Sequence, residues 1–157
     1  MIETDIPDFG KLNLKFLVMD YNGTLAVDGE LQPGVADRLQ ILATKLSLYV
    51  VTADTFKTVK RELHQLPVEI VVLKSADDQA RAKEKFVEDL GPKQTAAIGN
   101  GRNDRQMLAK ARVGVAVVLR EGVSSATLGA SDIIATGIED ALDLFIHPMR
   151  LRATLRG

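Results

Sequence analysis

Three short stretches of the chain concentrate oxygen-bearing side chains: Asp20-Tyr21-Asn22-Gly23-Thr24, Thr52-Ala53-Asp54 and Gly99-Asn100-Gly101-Arg102-Asn103-Asp104. Asp20 follows four apolar residues, Phe16 to Met19, and precedes Asn22-Gly23, a strong turn signal. A carboxylate held at such a point can act as a nucleophile toward phosphorus and form an aspartyl-phosphate. The Thr52 hydroxyl can donate to a phosphate oxygen. Backbone N–H groups around Asn22-Gly23-Thr24 can add donors, and Gly23 permits close approach. Phosphoryl transfer needs an in-line nucleophile and neutralisation of the equatorial oxygens, and these groups could supply both. Alone, the first stretch reads equally well as a strand-ending Asp that caps a turn.

That chemistry requires the three stretches to meet, so the elements before them matter. Phe16–Met19 is a continuous apolar run, the pattern of a strand buried on both faces. Leu48–Val51 runs into Thr52 in the same way, and Thr95–Ile98 runs into Gly99. Further strands are expected at 68–73, at 113–118 and, short, at 132–134. Another is expected near the start, at 1–5, with one run from Leu12 to Met19. Helices are expected between them. One starts at Pro33 and carries Val35, Leu39, Leu42 and Leu46 at helical spacing. A second is capped by Thr55, with Phe56, Val59 and Leu63 on its apolar face. A third is capped by Ser75 and spans about 76–90. Others lie near 106–111, 123–128 and 138–146. Asp28-Gly29 between apolar pairs signals a small hairpin, a flap at about 25–31 beside Asp20. Alternating strands and helices imply an α/β, doubly wound, mainly five-stranded parallel sheet, Rossmann-like, with Asp20's strand central. Ligands bind at the carboxyl edge of such sheets. Residues 1–157 read as a single domain without an inserted cap.

Composition narrows the class. Hydrophobic residues make up 46% and charged residues 26%, a soluble globular balance, and the formal net charge of −1 gives no nucleic-acid or membrane footprint. The absence of cysteine excludes disulfides, thiolate metal sites and cysteine nucleophiles. No apolar run approaches a membrane span and the start lacks a signal-peptide pattern, so a cytoplasmic protein is expected. His64 and His147 read as surface or packing residues. The Gly99-x-Gly-x-x-Asp stretch lacks the third glycine and the position of a dinucleotide loop. Arg150, Arg152 and Arg156 read as a solvated helix face or a contact with a partner subunit.

The three stretches, in this order, resemble the motifs of the haloacid dehalogenase-like (HAD) superfamily, whose first motif is usually Asp-x-Asp-Gly-Thr. Within it they are most similar to the phosphorylation domain of P-type ATPases, with Asp-Lys-Thr-Gly-Thr, Thr-Gly-Asp and Gly-Asp-Gly-x-Asn-Asp. The resemblance spans about 16–144 and lacks a membrane part and a nucleotide-binding insert. It implies a capless HAD-like fold and a Mg²⁺-dependent phosphohydrolase or phosphotransferase, hydrolytic or P-type ATPase-like, acting through Asp20. It implies Mg²⁺ at Asp20, the Asn22 carbonyl and Asn100, with Asp104 as ligand or support, Asn103 orienting its neighbours and Asp54 supporting. Phosphate contacts fall to Gly23, Thr24, Thr52 and Ala53. It also implies a lysine near the phosphoryl group. Lys83 is favoured by spacing, with Lys85 and Lys74 as alternatives. The partner is a phosphorylated substrate of unspecified identity. Capless members leave the site open, act on large substrates or cover it with a neighbouring subunit, so a homo-oligomer is one expectation.

Two departures bear on activity. Asn22 stands where phosphatases of the superfamily keep an acid/base Asp, and an amide cannot transfer a proton. P-type ATPases also lack an acid there, and their aspartyl-phosphate is long-lived. Asn100 stands where an Asp normally binds metal, which should weaken Mg²⁺ binding. Both make slow turnover the expectation and keep a silent, phosphate-binding or regulatory domain as the alternative. A receiver-like signalling domain also phosphorylates an Asp on a parallel sheet. It would place that Asp on a middle strand and leave Thr52 and Gly99–Asp104 unexplained.

Overall fold

A computed structural model describes residues 1–53, 57–73 and 78–157. The expected caps Thr55 and Ser75, the apolar Phe56, and Asp54 and Lys74 lie outside the described residues.

The chain opens with an antiparallel pair, β1 (Ile2–Ile6) and β2 (Gly10–Leu14), in the register Ile2↔Leu14. The expected single run from Leu12 to Met19 is therefore two strands. The break falls at exposed Lys15, whose N–H donates to the Gln94 carbonyl at 2.8 Å as the chain passes into the main sheet. That sheet is parallel, with β3 (Phe16–Met19) between β6 (Ser47–Thr52) and β8 (Thr95–Gly99). With β7 (Glu69–Val72), β9 (Val113–Val117) and β10 (Ile133–Ala135) its full order is β10-β9-β8-β3-β6-β7, β10 and β7 forming the edges. Six strands thus pair where five main ones were expected. The sixth is the short segment near residue 133, which gains a place because its backbone pairs with β9.

Both faces of β3 are covered, which is why its apolar run is unbroken. Leu17 and Met19 enter one core with Val35, Leu39 and Leu42 of α1 (Val35–Ala43), Val59 and Leu63 of α2 (Lys57–Leu63), and Leu142 and Phe145 of α6 (Ile138–Ile146). Val18 enters the other with Val87 of α3 (Gln79–Leu90) and Met107 and Leu108 of α4 (Arg105–Lys110). Each fully buried Leu or Met contributes about 1.5–3 kcal/mol relative to exposure, so the strand bearing Asp20 is fixed from two sides.

Helix starts differ in detail. Helix α1 begins at Val35 rather than Pro33, because Gly34 takes a left-handed conformation (φ 75°) as its N-cap. Pro148 ends α6 and opens a further helix, α7 (Pro148–Leu155), which carries Arg150 and Arg152. Helix α5 is a single turn, Ser125–Leu128. The flap forms as β4 (Ala26–Val27) and β5 (Glu30–Leu31). Its turn has positive φ at both Asp28 (53°) and Gly29 (83°), the conformation that Asp-Gly favours in two-residue hairpins. No helix among the described residues is long and apolar enough to cross a membrane.

Candidate active site

The chain leaves β3 toward β6 and β7 on one side and returns to β8 on the other, opening a crevice at the carboxyl ends of the strands. Asp20 stands at that point. Its N–H still donates to the Ile98 carbonyl of β8 at 3.0 Å, so its backbone remains part of the sheet. Beyond it the chain winds once around the Tyr21 carbonyl, which accepts from the N–H groups of Thr24, Leu25 and Ala26. Gly23 donates to Ala26 at 2.7 Å. The N–H groups of Gly23 and Thr24, expected as phosphate donors, are thus bonded within the turn. Asn22 is exposed at the mouth.

Lys83 reaches this point from α3. Asp78 caps that helix by accepting from the Arg81 N–H, and Ala80, Lys83 and Val87 form its buried stripe. The stripe aims a lysine into the protein, and Lys83 is fully buried. Its Nζ donates to Asp20 Oδ1 at 2.5 Å and to Asp104 Oδ1 at 2.6 Å. A buried ammonium needs such partners, because an unpaired one carries a large desolvation penalty. Lys85, two residues on, is exposed and pairs with Asp89 at 3.0 Å.

Asp104 is fully buried, and both its oxygens are engaged. Oδ1 takes Lys83, and Oδ2 accepts from the N–H groups of Asn100 and Gly101, each at 2.9 Å. The Gly99–Asp104 loop therefore folds around its own last carboxylate. Asn100 lies on the rim of that loop. Its Nδ2 donates to the Gly122 carbonyl at 3.2 Å, and its Oδ1 accepts from the Thr24 hydroxyl at 3.2 Å. Only glycine fits opposite it: Gly23 has φ 78°, and a Cβ there would stand 2.2 Å from Asn100 Nδ2. Asn103 donates to Gln79 Oε1 at 2.7 Å, tying the loop to the start of α3. Thr52 is buried at the end of β6, with Ala53 following it. Met19 pairs with Val50, which places Thr52 on the strand beside Asp20 and at the same sheet edge.

The site's electrostatics follow from two buried carboxylates and one buried ammonium. Burial, then the neighbouring charge of Asp104, push the Asp20 carboxyl up to about 7 against the opposing pull of Lys83. Burial works against the charged form of Lys83, but Asp20 and Asp104 outweigh it and hold its pKa above the ordinary lysine value.

The structure thus brings Asp20, Lys83, Asp104, Asn100 and Thr24 into one bonded network, with Thr52 alongside and Asn103 on its outer support. Among the described residues no three acidic or histidine side chains gather as a metal-holding group. His64 and His147 are both exposed. Sequence reasoning missed Gln79, Gly122 and Glu121. Glu121 accepts from the Asp28 N–H of the flap at 3.0 Å. No local pattern marks these residues, because their partners are distant in the chain.

No known family model matches the chain. It is 44% identical over 79 residues to Uncharacterized protein MJ0073 of Methanocaldococcus jannaschii, a match covering 48% of this chain and 85% of the relative. A shorter match, 44% over 39 residues, links it to Uncharacterized protein MJ0072 of the same organism, covering 25% of this chain and 89% of that protein. Among solved structures it is similar to cobalt-bound deoxy-D-mannose-octulosonate 8-phosphate phosphatase of Haemophilus influenzae, with TM-score 0.72, 15% identity, and 92% and 94% of the two chains covered. It is also similar to 3-deoxy-D-manno-octulosonate 8-phosphate phosphatase of Moraxella catarrhalis, in complex with magnesium and phosphate ions and KDO. There the TM-score is 0.68 at 20% identity, with 90% of each chain covered. A third likeness is to the haloacid dehalogenase-like family protein SP0104 of Streptococcus pneumoniae, with TM-score 0.65, 14% identity, and coverage of 85% and 99%.

Proposed function

Since the chain belongs to the family of protein MJ0073 and carries the fold of the HAD superfamily hydrolases, we propose that it is a phosphohydrolase or phosphotransferase working through Asp20. The observation that carries this reading is the buried Lys83 bridge between Asp20 and Asp104. A carboxylate at a switch point, steadied by an ammonium and backed by a second carboxylate, has the parts phosphoryl transfer needs.

In the proposed reaction an Asp20 carboxylate oxygen attacks phosphorus. The bond from phosphorus to the ester oxygen breaks with its electron pair passing to that oxygen, and the leaving alkoxide takes a proton from solvent to become the alcohol, since the Asn22 amide is no acid. Lys83 offsets charge on the phosphoryl oxygens, and the Thr52 hydroxyl, with the N–H of Ala53, adds donors. Asp104 acts as the anchor that holds Lys83 in place. Water then attacks the aspartyl-phosphate, releasing phosphate and restoring the carboxylate. No carboxylate stands at position 22 to take the proton from that water, so this step is slow. That absence aligns the chain with the slow P-type ATPase pattern rather than with fast phosphatases.

The donor set fits Mg²⁺, a hard cation that binds through one or two carboxylates completed by phosphate and water. Asp20, the Asn22 carbonyl and Asn100 Oδ1 would hold it, and all three are oxygen donors. Asn100 Oδ1 retains acceptor capacity beyond the Thr24 bond. Bound there, the ion would neutralise charge on the phosphoryl group. Asp104 has both oxygens engaged, so it supports the site from behind. With neutral amides at 22 and 100, the substrate's own phosphate completes the charge balance.

The test is incubation with radiolabelled acetyl phosphate and Mg²⁺, acid quenching, and peptide mapping. Label on Asp20 supports the reading. The second reading is a phosphate-binding domain without turnover, favoured by the two amides at Asn22 and Asn100. It predicts phosphate binding without label.

A further inference from the structure

The reacting end leaves the other half of the substrate unplaced. Two hollows of about 400 and 370 Å³ run beside the flap and share Gln32 and Leu119 in their walls. The first is bounded by Val27 and Gln32 on the flap side, and by Val118, Leu119, Arg120 and Thr136 just past β9 and β10. It therefore lies at the same carboxyl edge of the sheet as Asp20, displaced toward β9 and β10.

The Leu119–Gly122 turn that carries Arg120 is pinned to the site. It closes on itself through Gly122 N–H to the Leu119 carbonyl at 2.9 Å. The Gly122 carbonyl accepts from Asn100, and the Glu121 carboxylate accepts from Asp28 at the flap tip. Arg120 sits between these anchors, exposed, with no hydrogen bond or ion pair among the described residues. At the hollow that Phe9 and Asp132 line, Lys110 is committed to Glu88 and Arg112 to the Phe9 carbonyl, and Lys93 stands just before β8, at the end of the sheet opposite Asp20. Thr136 adds a hydroxyl to the same wall. The farther hollow carries Glu139 and Asp140, which disfavour an anion there and leave the Arg120 end as its place.

We propose that the hollow beside the flap receives the non-reacting part of the substrate, and that Arg120 reads a second anionic group on it. A guanidinium recognises carboxylate and phosphate through the same fork of donors, so either group would serve. This rests on the reading of Asp20 as the phosphoryl acceptor.

The experiment is calorimetric titration at fixed ionic strength with Mg²⁺, using the parent protein and Arg120→Gln. Glycerol 3-phosphate is compared with 3-phosphoglycerate, which adds a carboxylate. Fructose 6-phosphate is compared with fructose 1,6-bisphosphate, which adds a phosphate. In at least one pair the doubly anionic compound should bind about tenfold more tightly, the scale of one charge-assisted hydrogen bond. Arg120→Gln should remove that advantage and leave the singly anionic compound unchanged. Equal affinities in both pairs, an advantage that survives Arg120→Gln, or no binding of any of the four overturns the proposal. Labelling of Asp20 from acetyl phosphate, followed separately, reports on the catalytic reading. Discrimination without label on Asp20 would overturn that reading and leave anion recognition by Arg120 standing.

Discussion

Lys83 owes its position to the spacing Ala80, Lys83, Val87, which puts a lysine on an otherwise apolar helical stripe. Lys85 lies off that stripe and pairs with Asp89 in solvent. Removing one member of a buried ionic group strands the charges that remain, at about 3–5 kcal/mol. Lys83→Met is therefore expected to lower unfolding free energy in urea by that order, and Lys85→Met by no more than about 0.5 kcal/mol. Equal effects would contradict the assignment of the buried lysine. The sequence favoured Lys83 by its spacing from the last motif, and the helical period that sets it on the buried stripe with Ala80 and Val87 was a second signal left unused. The engagement of Asp104 was not legible, because it depends on a loop that folds its backbone N–H groups onto its own carboxylate. Asn100 was read from its motif as a metal ligand. Its bond to the Gly122 carbonyl was hidden, since it joins two loops that no periodicity connects.

Among the elements, the flap shows the same division. Asp28-Gly29 announced its turn, but its two anchors are tertiary. Tyr21, fully buried next to Asp20, donates to the Gly29 carbonyl at 3.0 Å, and Glu121 holds Asp28. Tyr21→Phe deletes the first anchor at nearly constant volume. The expected result is a stability loss of about 1 kcal/mol and faster amide exchange in the flap than in β3; unchanged flap exchange would show that the bond does not hold it. Helices α1 and α6 are joined by Arg38, which donates to Asp143 Oδ1 at 2.8 Å and pairs with Glu139 at 2.9 Å. Burial alone would raise the Asp143 carboxyl, but the Arg38 bond and the charges of Arg38 and Arg150 prevail and hold it below its ordinary value. A carboxyl depressed in the folded state stabilises above its unfolded pKa of about 3.9, and that contribution is lost as pH falls through the folded value. Asp143→Asn should therefore cost about 1 kcal/mol at pH 7 and progressively less in acid below pH 4, read from urea midpoints across pH. A cost that stays constant with pH would rule out the ion pair as its source.

At the scale of the whole molecule, alternating strands and helices made the parallel sheet and its central strand readable. The sixth strand, three residues long, was read as a segment but not as part of the sheet, because pairing at an edge leaves little trace in composition. The order of the sheet brings Asp20 and the Gly99–Asp104 loop together from strands far apart in sequence. Ligands that span them should stabilise the fold as a unit. Mg²⁺ with inorganic phosphate is expected to raise the melting temperature more than either alone, and Asp20→Ala to abolish the joint effect. A joint effect that persists in Asp20→Ala would place the metal elsewhere. The central claim is that Asp20 accepts a phosphoryl group which Asn22 cannot help to remove. It is tested most directly by single-turnover decay of protein labelled from acetyl phosphate, with Asp20→Asn as the blank. Positioned acid/base groups contribute roughly 10²–10⁴-fold to rate. The parent should hold label on Asp20 and lose it slowly, and Asn22→Asp should lose it faster by one or more powers of ten. Label absent from Asp20, or decay unchanged in Asn22→Asp, would contradict the claim.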